Sequence, residues 1–124
     1  ENIRAHARHK RALMADIDVK SIDELEAVRG SSVRRLFGFG REDPDGGIFA
    51  DVLELGANVK YAAPDPHEGG GQVVLVLQGS LVHNGDKMGV RSALAVTEEE
   101  NAVSFSGGPA GLQALILQYP KRES

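Results

Sequence analysis

No apolar run in this 124-residue chain exceeds five residues, and the longest, Val73-Val74-Leu75-Val76-Leu77, is β-branched at three of its five positions. That length excludes a membrane-spanning helix, which needs roughly 20 consecutive apolar residues. The short runs recur between clusters of Gly, Pro, Asn and Asp, which is the pattern of strands and turns. We expect strands at Val33–Phe37, Ile48–Leu55, Gln72–Leu77, Ser80–His83, Leu94–Thr97, Ala102–Phe105 and Leu112–Tyr119. In the second of these, Ile48, Ala50, Val52 and Glu54 lie on one side and Phe49, Asp51, Leu53 and Leu55 on the other, by the two-residue period of a strand. Turns are expected at Gly38–Gly47, in part of Tyr61–Gly71, at Gly79, at the hairpin pair Asn84-Gly85, and at Gly107–Gly111. Short strands at this spacing point to an all-β sandwich or barrel and away from alternating β and α units.

One helix stands ahead of the strands. Ser21-Ile22-Asp23-Glu24 is a capping box, Ile22, Leu25 and Val28 recur at helical spacing, and Gly30 supplies a stop, so a short helix is expected over 22–29. Alone it is too short to be stable, so it must pack on something larger. Before it, Arg4, Arg8, Lys10 and Arg11 face a single Glu1, which reads as a solvated basic arm. His6 and His9 could share a helix face there, but two His near an end make no metal site. Only four apolar residues, Ala12–Ala15, follow the charges, too few for the core of a signal peptide. The missing initiator Met points to a start inside a longer chain. We divide the chain into this arm with its helix, residues 1–30, and one β domain, residues 31–124. The net charge of −4 argues against a general nucleic-acid binder, and the absence of Cys excludes disulfides, thiolate metal sites and a Cys nucleophile.

Residues 48–118 carry a resemblance to a known family. Asp65-Pro66-His67-Glu68-Gly69-Gly70-Gly71-Gln72, followed by six residues and Gly79, is similar in spacing to the second half of the first cupin motif, G-x5-H-x-H-x3–4-E-x6-G. Asp65 stands at the first His, His67 at the second and Gln72 at the Glu, and Val73–Gly79 resembles the strand and turn that follow. Gly56 lies three residues too far upstream. The second motif, G-x5-P-x-G-x2-H-x3-N, is poorly kept: Thr97 and Glu99 replace its Pro and Gly, and its His falls at Ala102 or, with one deletion, at Asn101. The resemblance implies a jelly-roll β-barrel preceded by a short helical extension, a homodimer, and a pocket inside the barrel.

In that family's usual form, three His and one Glu hold a divalent ion such as Fe, Mn, Zn, Cu or Ni. The matching positions here offer His67, Asp65 and Gln72 as a reduced metal set, with Asn101 beside them. The loss of two imidazoles should lower transition-metal affinity by orders of magnitude. His83 shares a strand side with Leu81 and could join His67 if that side faces inward, while Gln113 alternates with apolar neighbours and is a further candidate for the pocket. Of the consecutive Arg34 and Arg35 only one can face the interior, and an inward Arg would suit an anionic ligand. The chain has no G-x-S-x-G elbow, no P-loop and no H-E-x-x-H, and Gly38-Phe39-Gly40 lacks the Gly that would complete a dinucleotide fingerprint.

The expected protein is therefore a cytoplasmic cupin-type barrel that binds a small organic ligand through Asp65, His67, Gln72, His83, Asn101 and Gln113, with neither nucleic acid nor membrane as partner. A metal-dependent isomerase, lyase or dioxygenase using His67 with Asp65 or His83 is the alternative. A ligand-sensing regulatory module acting through a partner domain is a third reading.

Overall fold

The structure, a computed structural model, describes residues 17–37, 49–66, 69–97 and 99–119. Helix α1, Ile22–Glu26, opens on the expected capping box: the Ser21 hydroxyl accepts from the Glu24 amide at 3.2 Å, and Glu24 Oε1 accepts from the Ser21 amide at 2.9 Å. The Ser21 backbone amide foremost, and its hydroxyl next, hold the Glu24 carboxyl below its usual range. The capping contribution is thus present above the ordinary carboxylate pKa and fades as pH falls through the lowered one. The helix ends before 29 because its last turn tightens. The Ala27 amide reaches back to Glu24 O, and the Arg29 guanidinium takes the carbonyls of Glu26 and Val28. Gly30 follows at φ +69°, a left-handed conformation that suits Gly. Leu25 is fully buried, whereas Ile22 stays exposed.

The strands are β1 (Ser31–Phe37), β2 (Phe49–Leu55), β3 (Lys60–Ala62), β4 (Gln72–His83), β5 (Asp86–Met88), β6 (Ala93–Val96) and β7 (Ser104–Gln118). All pairings are antiparallel in one sheet of order β1-β2-β7-β4-β5, with β3 also on β7 and β6 also on β4. The Asn84-Gly85 hairpin forms as expected, with both residues at positive φ, which is what a type I′ turn requires.

Two expected breaks are continuous strand. Gly79 does not end β4, and Gly107–Gly111 does not separate two strands, because these glycines sit at irregularities within the β4–β7 ladder. Bulges admit extra residues and bend a strand without ending it. Gly79 (φ +76°) and Gly111 (φ +93°) meet so closely that a Cβ on Gly79 would collide with the Gly111 carbonyl. The first irregularity, between Val76 and Gln78, also reverses the alternation. Val74 and Val76 before it and Leu81 after it consequently all reach the same core.

That core is the inner face of the sheet. Phe49, Leu53 and Leu55 of β2 pack with Val74, Val76 and Leu81 of β4 and Leu112, Ala114 and Ile116 of β7. The opposite face carries a second apolar row, Ala50, Val52 and Leu115, beneath Ile17. Residues 18–20 cross this outer face as a strap. Gln113 Oε1 accepts from the Lys20 amide at 2.9 Å and Gln113 Nε2 donates to Asp18 O at 3.0 Å, while Gln78 Nε2 donates to Lys20 O at 2.9 Å. Gln113 is therefore removed from the expected pocket: its register partner is Glu54, on the outer side of β2, and its amide is spent on the strap. Among the described residues, no helix is long and apolar enough to cross a membrane.

Leu25 lies over the Gly79–Gly111 contact, its Cδ2 only 2.7 Å from where a Gly79 side chain would begin. Leu25→Ala should cost about 2–5 kcal/mol of stability, and Gly79→Ala about 3 kcal/mol from strain and collision. Because the sites touch, urea denaturation of the double variant should show the Gly79 cost reduced by at least about 0.5 kcal/mol. Strict additivity would show that the helix does not press on the bulge.

Candidate functional site

Strand register decides which polar side chains meet. Gln72 pairs with Gln118 across β4–β7, and Gln118 with Phe49 across β7–β2, so the three share one row of the inner face. The next row inward is Val74, Ile116, Asp51 and Arg35. The polar members are deeply placed, with Gln72 at 1%, Asp51 at 2% and Gln118 at 2% exposure.

Gln72 is fixed by its amide hydrogens, since Nε2 donates to Pro64 O at 2.7 Å and to Gln118 Oε1 at 2.9 Å. Both partners are acceptors, which sets the orientation of the amide. Asp51 is gripped by Arg35, whose Nε donates to Oδ1 and whose Nη2 donates to Oδ2 at 3.3 Å. Arg35 is thus the inward member of the Arg34-Arg35 pair, opposite Asp51 in register. Its guanidinium also lies over the Phe49 ring, 4.4 Å from the centroid, a cation–π contact that turns the ring face to use. Tyr61 of β3 stands against Phe105, ring centroids 5.9 Å apart and tilted by 55°. Burial pushes its phenol above the usual value, and Asp51 adds to the shift while Arg35 opposes it. The phenol therefore stays protonated at neutral pH.

The residues singled out from sequence scatter more widely than expected. Among the described ones, Gln72 lies buried on the inner face. Asp65 and Asn101 are exposed, so neither lines the interior. His83 does share the inward side of Leu81, but it lies at the hairpin end of β4, where its Nδ1 is 3.1 Å from Ser104 O. Eleven residues separate it from Gln72, on the order of 36 Å of strand at about 3.3 Å per residue, so the two occupy opposite ends of β4. His67 lies outside the described residues.

The described residues do not fit a transition metal. None of their His, Asp and Glu side chains gathers in a group of three able to hold an ion. Gln72 offers a neutral amide, and the inner-face carboxylate, Asp51, is already matched by a guanidinium whose charge opposes a cation.

Sequence reasoning missed Asp51, Gln118, Phe49 and Tyr61. A signal existed for the first two. Asp51 falls on the same strand side as Phe49, Leu53 and Leu55, and Gln118 continues the period of Leu112, Ala114 and Ile116. A polar residue in an otherwise apolar row was the mark to follow.

The exposures within the ion pair differ sharply, 40% for the Arg35 side chain and 2% for Asp51. Arg35→Met strands a buried carboxylate and should cost about 3 kcal/mol at neutral pH. Asp51→Asn keeps an acceptor beside a cation that can reach water, and should cost about 1 kcal/mol. Equal costs in chemical denaturation would mean the pair is solvated. For Tyr61, a raised folded pKa gives stability that is complete below the usual value of 10.0 and lost as pH rises through the folded one. Wild type should then lose stability relative to Tyr61→Phe only in that alkaline range, which a pH series of melting curves would detect.

No family model matches the chain, and no curated protein is found similar to it. Solved structures are. An RmlC-like cupin protein from Desulfovibrio desulfuricans superposes with a TM-score of 0.53 at 16% identity, covering 85% of this chain and 100% of that one. The cupin domain of an XRE-family transcriptional regulator from Enterobacter cloacae gives 0.52 at 14% identity, with 75% and 100% covered. Rhodobacter sphaeroides SigE in complex with the anti-sigma ChrR gives 0.53 at 21% identity, with 89% of this chain and 65% of that chain covered. At these identities the likeness is one of fold, and the chain has the all-β cupin fold.

Proposed function

We propose that the chain is a small-molecule-binding protein of the cupin type, with its ligand inside the barrel at the end marked by Gln72, Gln118, Phe49, Asp51 and Arg35. The observation that supports this is the convergence of three buried polar side chains on an inner face that is otherwise apolar. Ligand pockets combine an apolar lining with a few placed polar groups in this way. Small barrels are suited to hold one such ligand.

Binding is favoured over turnover by the state of those groups. The Asp51 carboxylate is engaged by Arg35, the two amides do not titrate, and the Tyr61 phenol is pushed further from neutrality. None of them is a free base or nucleophile, which acid–base or covalent catalysis would need.

A thermal-shift screen of small organic molecules, with every hit located by the methyl resonances of Val74 and Ile116, tests the proposal. A true ligand at a hundred times its Kd should add about 2.7 kcal/mol to stability and move those methyls. Hits that stabilise the protein yet leave both methyls unmoved would place binding elsewhere and overturn the reading.

A further inference from the structure

Among the described residues, Gln72 Oε1 is a buried side-chain acceptor without a hydrogen-bond partner. Its residue is 1% exposed, and buried polar atoms are nearly always satisfied, so this one asks for an explanation. Turning the amide over offers no escape. It would bring Oε1 against Pro64 O and Gln118 Oε1, two acceptors now served by Nε2, and exchange two hydrogen bonds for two repulsions. What Gln72 has left to offer is one acceptor and no donor.

Charge at this end of the barrel narrows the partner further. By sequence alone, whichever of Arg34 and Arg35 faces inward would suit an anionic ligand. In the structure the Arg35 guanidinium holds the buried Asp51 carboxylate, so its charge is already matched within the protein. Displacing Asp51 from Arg35 would leave an uncompensated buried charge. A carboxylate placed at Gln72 would meet the acceptor oxygen with oxygen.

From these two observations we infer that the ligand is a neutral or cationic molecule with an N–H or O–H donor, an alcohol, amide or amine on an apolar body, and that Gln72 Oε1 is the group that selects it against carboxylates. The inference rests on the interior-pocket reading and names the chemical class that such a pocket takes. Val74, Val96 and Ile116, in the same and the adjacent rows, supply the apolar wall.

Three probes of equal ring size separate the cases: benzyl alcohol, benzylamine and benzoate, titrated into the whole chain and followed by the Gln72 side-chain amide and the Val74 and Ile116 methyls. The alcohol and the amine should bind at least tenfold more tightly than benzoate, since a site built for a donor rejects a ligand that leaves its acceptor unpaired. In Gln72→Met, which keeps the length and removes the acceptor, the ratio should fall towards one. Benzoate binding as well as the others at these same residues would overturn the donor assignment and leave the interior pocket standing. An unchanged ratio in Gln72→Met would also overturn the assignment, with water then the partner of Oε1. If none of the three probes moves these residues, the pocket reading fails and the inference with it. The comparison among probes in wild type decides the matter even if the variant does not fold.

Discussion

The close passage of β4 and β7 at Gly79 and Gly111 is the constraint on which the rest of the barrel depends. β7 is the shared strand, since β2, β3 and β4 all pair with it, and β4 in turn carries β5 and β6. A straight pair of strands of 12 and 15 residues would form a flat ribbon unable to enclose anything. The irregularities bend the pair, and glycine lets the two backbones come together at the bend. α1 then sets one fully buried Leu25 over that point. A helix of five residues has no stability of its own, so its order derives from the surface the bend creates.

The same bend determines what faces inward. One extra residue near Leu77 changes the parity of β4, so that the odd-numbered Leu81 and the even-numbered Val74 and Val76 meet in one core. Gln78 and Gln113 become outer-face partners and hold the strap at residues 18–20, while Gln72 and Gln118 stay inner-face partners. Two amide pairs of like chemistry thus do different work, one anchoring the chain against the outside and one lying inside the barrel.

Much of the fold could be read from the residues, because period-two alternation and turn chemistry are local. The Ser21–Glu24 box, the Asn84-Gly85 hairpin and the two sides of β2 all follow from short-range rules that tertiary packing did not override. What could not be read was how glycines act inside a long strand, since a Gly that ends a strand and a Gly that kinks one look alike in sequence. That ambiguity split β4 and β7. The candidate site suffered for a related reason. Motif spacing picked out Asp65 and Asn101, which the structure leaves exposed, whereas the groups that converge come from register between strands far apart in sequence, 46 residues in the case of Gln72 and Gln118.

A chain shaped by stability alone would have little reason to keep this polar end. The neighbouring rows show the alternative: Leu53, Ala114 and Val76 in one, Leu55, Leu112 and Gly79 in the next, with no buried charge and no amide among them. Buried ion pairs can often be exchanged for apolar residues at no loss of stability, and an acceptor left without a donor is a net cost. Two successive rows carry both features, while the rows beside them carry neither. In a barrel this small, a local departure from the best apolar filling is where function is to be sought, because sites are commonly kept at some expense of stability. That departure lies at the end of the sheet where β4 begins and β7 ends, and its members are Gln72, Gln118, Phe49, Asp51 and Arg35.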